Sequence, residues 1–239
     1  MNMVKPVGFD QKVMLHHLDC AANETRKLTR KEMYEALDFY LRDDIKGAKS
    51  RKNAITMLMK IWYLIQDDQM ELRNRVLKEF PEYSREERLL LHWGMTLLAY
   101  PFFKDVVMEM GKLFRLQDEV PSMVVGKKIK ELYGDRRRVE VATSAVLMSI
   151  RQWGAVEMLK NRSYQLPRKV QITNPDLIPF IAEIVLRTSE VHAIPLELIH
   201  NHPLFFPFGF DVSATALKNS PALRVDRQGV EMLTVELSS

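Results

Sequence analysis

Residues 120–172 read VPSMVVGKKIKELYGDRRRVEVATSAVLMSIRQWGAVEMLKNRSYQLPRKVQI, and the changes of pattern inside this stretch decide the fold. Pro121-Ser122 opens a short helix through MVVGKKIKELY, and Gly134-Asp135 supplies a turn and an N-cap. A longer helix is expected over 136–153, because Val139, Ala142, Ala145, Val146, Ser149 and Ile150 recur near one face, and Gly154 is placed to end it. Two segments with strand character follow, 155–159 and 164–166, the second continuing to 169–172. The turn-like Lys160-Asn161-Arg162-Ser163 between them makes this a basic β-hairpin.

The same reasoning extends outward. Thr29-Arg-Lys-Glu32 is a capping box, in which the hydroxyl caps one orphan backbone N–H and the carboxylate another. It predicts a helix over 30–43 with Met33, Leu37, Tyr40 and Leu41 on one face. After Gly47, residues 53–65 place Ile55, Leu58, Ile61, Trp62 and Ile65 at helical spacing, and Asp67 and Asp68 stand ready to cap a third helix over 69–80. A second capping box, Ser84 to Glu87, precedes Leu89, Leu90, Trp93, Leu97 and Leu98, and Pro101 suits the first turn of a helix over 102–116. Downstream, 176–189 is apolar on one side, 195–210 is rich in Pro and aromatic residues, and 223–226 with 230–237 form a terminal hairpin around Arg227-Gln228-Gly229. The fold class is therefore mainly α, divided into an N-terminal helical block (1–83), a central block (84–172) and a small C-terminal helical and hairpin block (173–239).

The order helix, helix, turn, helix, hairpin over about residues 100–172 resembles a winged helix-turn-helix domain, with 160–169 as its wing. The arrangement is also similar to the BrxA-type small helical proteins of bacterial BREX phage-defence loci. That resemblance rests on the basic helix start AKSRKNAITMLMKIW (48–62), the Tyr-Pro-Phe-Phe-Lys-Asp junction (100–105) and Arg-Gln-Trp-Gly (151–154), and it covers about residues 46–156. It implies a non-enzymatic, DNA-binding accessory component of a defence complex.

Charge is uneven along the chain. Residues 1–83 hold 15 Lys and Arg against 13 Asp and Glu, 84–172 hold 16 against 10, and 173–239 hold 4 against 8. Within the middle block, 121–172 carry 11 basic and 4 acidic side chains, the pattern of a polyanion-binding surface. In a winged helix the helix after the turn enters the major groove with its N-terminus nearest the bases. Arg136, Arg137 and Arg138 stand at that N-terminus, where the helix macrodipole disfavours cations unless an anion is near. Contact with phosphate or a guanine edge relieves the conflict; a solvated turn offset by Asp135 and Glu140 is the alternative. Lys127, Lys128 and Lys130 on the preceding helix, and Lys160, Arg162, Arg168 and Lys169 on or beside the hairpin, suit the phosphate backbone. A second cluster, Lys46, Lys49, Arg51 and Lys52, opens a helix with Ser50 as a possible cap, and Lys49, Arg51 and Lys52 are further DNA-contact candidates unless Asp43 and Asp44 neutralise the cluster.

Other chemistries find no support. There is no P-loop, GxGxxG, GxSxG or HExxH, so no catalytic residue, enzyme activity or cofactor is assigned. Only His200-Asn201-His202 approaches ligand spacing, so no metal is expected; His92 on an apolar helix reads as a core histidine. Cys20 is alone and reads as a structural thiol, and the 14 Met and three Trp fall mainly at core positions. The N-terminus lacks a signal-peptide pattern and no stretch reaches the roughly 18 to 20 apolar residues of a span, so a cytoplasmic location without a membrane is expected. The leading expectation is a non-enzymatic protein that binds double-stranded DNA, in a defence complex or as a transcriptional regulator, with other subunits as further partners. The alternative is a scaffold or adaptor that uses the winged helix to bind protein.

Overall fold

The computed structural model describes residues 5–189, 191–228 and 232–238. Its helices are α1 (Leu15–Glu24), α2 (Arg30–Leu41), α3 (Ala48–Leu58), α4 (Met70–Lys78), α5 (Arg85–Ala99), α6 (Pro101–Phe114), α7 (Ser122–Tyr133), α8 (Arg137–Gln152), α9 (Ile178–Thr188), α10 (Leu196–His200) and α11 (Ala214–Lys218). The strands are short: β1 (Glu119–Pro121), β2 (Glu157–Met158), β3 (Ser163–Gln165), β4 (Val170–Gln171), β5 (Ala193–Pro195), β6 (Phe208–Gly209), β7 (Leu223–Gln228) and β8 (Met232–Leu237). The protein is mainly α, and no helix of the described residues is long and apolar enough to cross a membrane.

Both capping boxes form. Thr29 and Glu32 close the start of α2, and Ser84 and Glu87 close the start of α5. The second predicted helix starts earlier, at Ala48 with Gly47 as N-cap, so Ser50 does not cap it; it runs into a π-helical turn, Met59–Tyr63, and stops before Ile65. Asp67 and Asp68 lie in a 3-10 turn, Asp67–Gln69, that leads into α4.

The buried apolar residues form one cluster drawn from all three segments of the sequence. Trp93 stands at its centre, with its ring centroid 5.6 Å from Phe103, 6.1 Å from Trp153, 5.8 Å from Phe206 and 5.6 Å from Phe208. Its Nε1–H is satisfied by the carbonyl of Leu204 at 2.8 Å, which ties α5 to the C-terminal segment. Where that segment crosses α6, Gly111 is required: a Cβ there would lie 2.0 Å from the carbonyl oxygen of Pro203. The N-terminal segment is pinned to α8 in the same way. Ser149 Oγ accepts from the N–H of Val13 at 3.0 Å, and Trp153 Nε1–H donates to its carbonyl at 2.9 Å.

Three small sheets complete the fold. The first is antiparallel in the order β1-β3-β2, with Val120 opposite Tyr164 and Met158 opposite Tyr164 on the other side. Residues 169–172 do not continue this hairpin, as the sequence reading expected. After Pro167 the chain departs, and β4 instead pairs in parallel with β6. The third sheet has the order β5-β8-β7, and its β7–β8 pair is the expected terminal hairpin. Gly229 and Val230, expected at its turn and strand start, lie outside the described residues.

Candidate nucleic-acid interface

The site is built around α8 and the two elements beside it, α7 and the β2–β3 hairpin. Gly134 at φ +85° ends α7 and lets the chain reverse into α8, and Gly154 at φ +79° releases it again. The hairpin turn is fixed to the start of α7: the Ser122 N–H donates to the carbonyl of Arg162 at 3.1 Å, and the Arg162 N–H donates to Leu159 at 3.1 Å. Arg162 takes a left-handed backbone conformation there, φ +61°, with its side chain in solvent.

The three consecutive arginines have different fates. Arg136 is the N-cap residue of α8, and its Nη2 donates to the carbonyls of Tyr133 at 2.9 Å and Lys5 at 3.2 Å, while its Nε is buried without a hydrogen-bond partner. The guanidinium of Arg136, expected to approach a groove, is engaged with the α7–α8 turn and the N-terminal segment. Arg137 is 85% exposed and pairs with Glu140 at 3.1 Å, and Arg138 is exposed with Asp10 at 3.7 Å. These two stay available to solvent, because surface pairs of this kind are worth little.

On α7, Lys127 and Lys128 are exposed and have no ion pair among the described residues. Lys130 differs. Its Nζ bridges Asp135 at 2.8 Å and Glu140 at 2.7 Å, and those hydrogen bonds, Asp135 first, raise its pKa. Expected on the DNA backbone, it stands here as an ion-paired strut between α7 and α8. In the hairpin turn Lys160 and Arg162 are exposed and have no ion pair among the described residues. Arg168 and Lys169 are also exposed without an ion pair among the described residues, but they leave from the opposite end of β3 toward β4, so they do not flank the turn. Arg151, in the last turn of α8, is exposed beside Lys127 and Met148; the sequence reading counted its charge and gave it no role.

The second basic cluster is mostly consumed by the fold. Arg51 is only 15% exposed: its Nε donates to Asp38 at 2.7 Å and its Nη1 to the carbonyls of Ile45 and Lys46 at 2.9 and 3.3 Å. The fold thus engages Arg51 itself, and the neutralising acid is Asp38, not Asp43 or Asp44. Lys46 pairs with Asp43 at 3.4 Å, while Lys49 and Lys52 are exposed, with no ion pair among the described residues.

Among the described residues one cluster brings ligand-type atoms together, His16, His17 and Asp44. His16 Nε2 lies 2.7 Å and His17 Nε2 2.9 Å from Asp44 Oδ2. The N–H of Met14 donates to His17 Nδ1 at 3.3 Å, so that nitrogen is the acceptor and the ring proton sits on Nε2, facing the carboxylate. A metal-ligating histidine normally uses the opposite arrangement, with its second nitrogen as donor. The cluster is therefore read as mutual hydrogen bonding. Burial lowers the His17 pKa against the opposing pull of Asp44. His92 is the core histidine expected: fully buried, it accepts from Trp62 Nε1 at 3.2 Å and reaches Asp19 at 3.0 Å, and burial lowers its pKa.

No protein-family model, curated protein or solved structure matches this chain.

Proposed function

We propose that this protein binds double-stranded DNA, without catalytic activity of its own, through the face formed by α7, α8 and the β2–β3 hairpin, which acts as a winged helix-turn-helix. The observation that carries the reading is a set of exposed cations beside α8 that have no carboxylate partner among the described residues: Lys127 and Lys128 on α7, Lys160 and Arg162 at the hairpin turn. Like-charged groups held together without counter-ions suit a polyanion, because phosphates gain attraction and release bound cations. The order α6, β1, α7, α8, β2, β3, with β3 between β1 and β2, supports the winged-helix assignment. In this reading Arg137 and Arg138, at the start of α8, lie nearest the base edges, and the lysines and Arg162 hold the backbone. The similarity to BrxA-type proteins makes an accessory role in a bacterial defence complex the favoured setting, and transcriptional control the other.

Fluorescence anisotropy with a mixed-sequence DNA duplex of about 20 base pairs and a matched RNA duplex tests this. DNA binding at about 50 mM salt that weakens steeply by about 200 mM, with DNA preferred over RNA, is the expected result. No binding to either duplex at low salt overturns it.

A further inference from the structure

A cleft of about 730 Å³ lies between α7, α8 and the hairpin. Its walls carry three methionines that the protein leaves in water: Met123 is 80% exposed, Met148 42% and Met158 38%. They come from three different elements and converge over a floor that includes buried Val139, Leu147 and Tyr164. Methionine is the apolar side chain best able to repack around a partner, being unbranched and polarizable. The rim is basic. Lys127 and Arg151 line the cleft with no carboxylate partner among the described residues, and Arg162 stands beside Ser122 at its end. The one carboxylate in the lining, Glu140, is already held by Lys130 and Arg137.

Duplex DNA does not satisfy this combination. Its major groove offers the thymine methyl as its apolar group, which leaves a methionine-walled trough largely unmatched. A small ligand fits poorly as well, since such ligands are mostly enclosed by their pockets and Met123 stands four-fifths in solvent. An amphipathic helix answers both halves of the site: an apolar stripe at i, i+3 or i+4 and i+7 for the methionines, and flanking Asp and Glu for the rim. We infer that the α7–α8 cleft docks an acidic amphipathic helix of a partner protein. α8 spans about 24 Å, enough to align two to three turns of such a helix. The inference stands on the cleft itself and does not depend on DNA binding. Because Arg162 and Lys127 would face both ligands, a docked helix excludes a duplex from this face.

Selection of helical peptides from a random phage-displayed library against the full chain tests the proposal. The expected winners carry an apolar stripe flanked by Asp and Glu, and move the methyl NMR signals of Met123, Met148 and Met158. They bind at least about tenfold more weakly to Met123→Glu/Met148→Glu and to Lys127→Glu/Arg151→Glu, with each variant melting as the parent does. If the glutamate pair fails to fold, Met123→Gln/Met148→Gln takes its place, with an expected loss of about threefold. Winners with basic flanks, winners that bind these variants as tightly as the parent, or no enriched helix at all overturn the proposal. Movement of the same methyl signals by a DNA duplex, with no peptide enriched, assigns the cleft to DNA and also overturns it, leaving the DNA reading intact.

Discussion

Two basic clusters look alike in sequence and differ in three dimensions. Around 46–52, Arg51 is drawn into Asp38 and two carbonyls, and Lys46 meets Asp43. Around 127–162, Lys127, Lys128, Lys160 and Arg162 have no ion pair among the described residues. In the first set the fold holds Arg51 and Lys46 and leaves Lys49 and Lys52 exposed; in the second it holds Lys130 and leaves these four exposed. Cation density along a chain is therefore a poor guide to a binding face; what counts is the charge that remains after the carboxylates of the fold have been matched to their partners.

The sharpest break of this contrast comes from removing a carboxylate that a structural cation needs. Glu183 is buried and holds Arg187 at 3.0 Å as well as Arg75. Glu183→Ala leaves Arg187 with Asp68 and Arg75 with Glu71 as their remaining, more exposed partners, and should cost about 2 kcal/mol in urea unfolding. A loss below about 1 kcal/mol would mean that these paired cations are not structural after all.

Histidine sharpens the contrast from another side, since burial keeps some basic groups uncharged. The His202 pKa is lowered to about 4 by burial, with Arg115 adding to the effect, and its Nδ1 accepts from the N–H of Leu204. An unfolded histidine takes up its proton near pH 6.5. Stability present above that pH is thus lost as the pH falls from about 6.5 to 4, because the unfolded chain then binds the proton first. His202→Asn keeps a side-chain acceptor and removes the titration. Its stability should fall less steeply over this range than the parent's, by about 2 kcal/mol after allowance for partial exposure. Identical pH profiles would show that His202 titrates normally.

Arg51→Ala should cost about 1 to 2 kcal/mol of stability, since its partly buried hydrogen bonds are lost, and leave DNA affinity within about twofold. A large fall in affinity at unchanged stability would move Arg51 from the first class to the second. The smallest effect is expected at the exposed remainder of the first cluster. Lys49→Ala/Lys52→Ala should weaken DNA binding less than about threefold, and a larger loss would extend the interface onto α3.

Much of the helical framework was legible because its signals are local. Two capping boxes, Pro101 and the glycines at 134 and 154 place most boundaries of α2, α5, α6, α7 and α8. What escaped depends on distant partners. β1 is three residues long, with no alternation to mark it, and exists because it pairs with β3 some forty residues later. β4 was joined to the hairpin since its true partner, β6, follows only at Phe208. Within the site, Arg137, Arg138, Lys160 and Arg162 are exposed. Arg136, Lys130 and Arg51 are held by backbone carbonyls and carboxylates that spacing alone does not reveal. The methionines were read mainly as core. That suits Met33, Met57, Met59, Met95 and Met110, but not the three that wall the cleft.

The central claim is that the unpaired cations of α7 and the hairpin neutralise phosphates. The direct measurement is the slope of log affinity for a DNA duplex against log salt, for the parent and for Lys127→Ala/Lys128→Ala/Lys160→Ala/Arg162→Ala at equal melting temperature. Each phosphate contact contributes about −0.9 to that slope, so four lost contacts should make the variant's slope shallower by about 3 to 4. Parallel slopes for the two proteins, with affinity unchanged at low salt, would contradict the account.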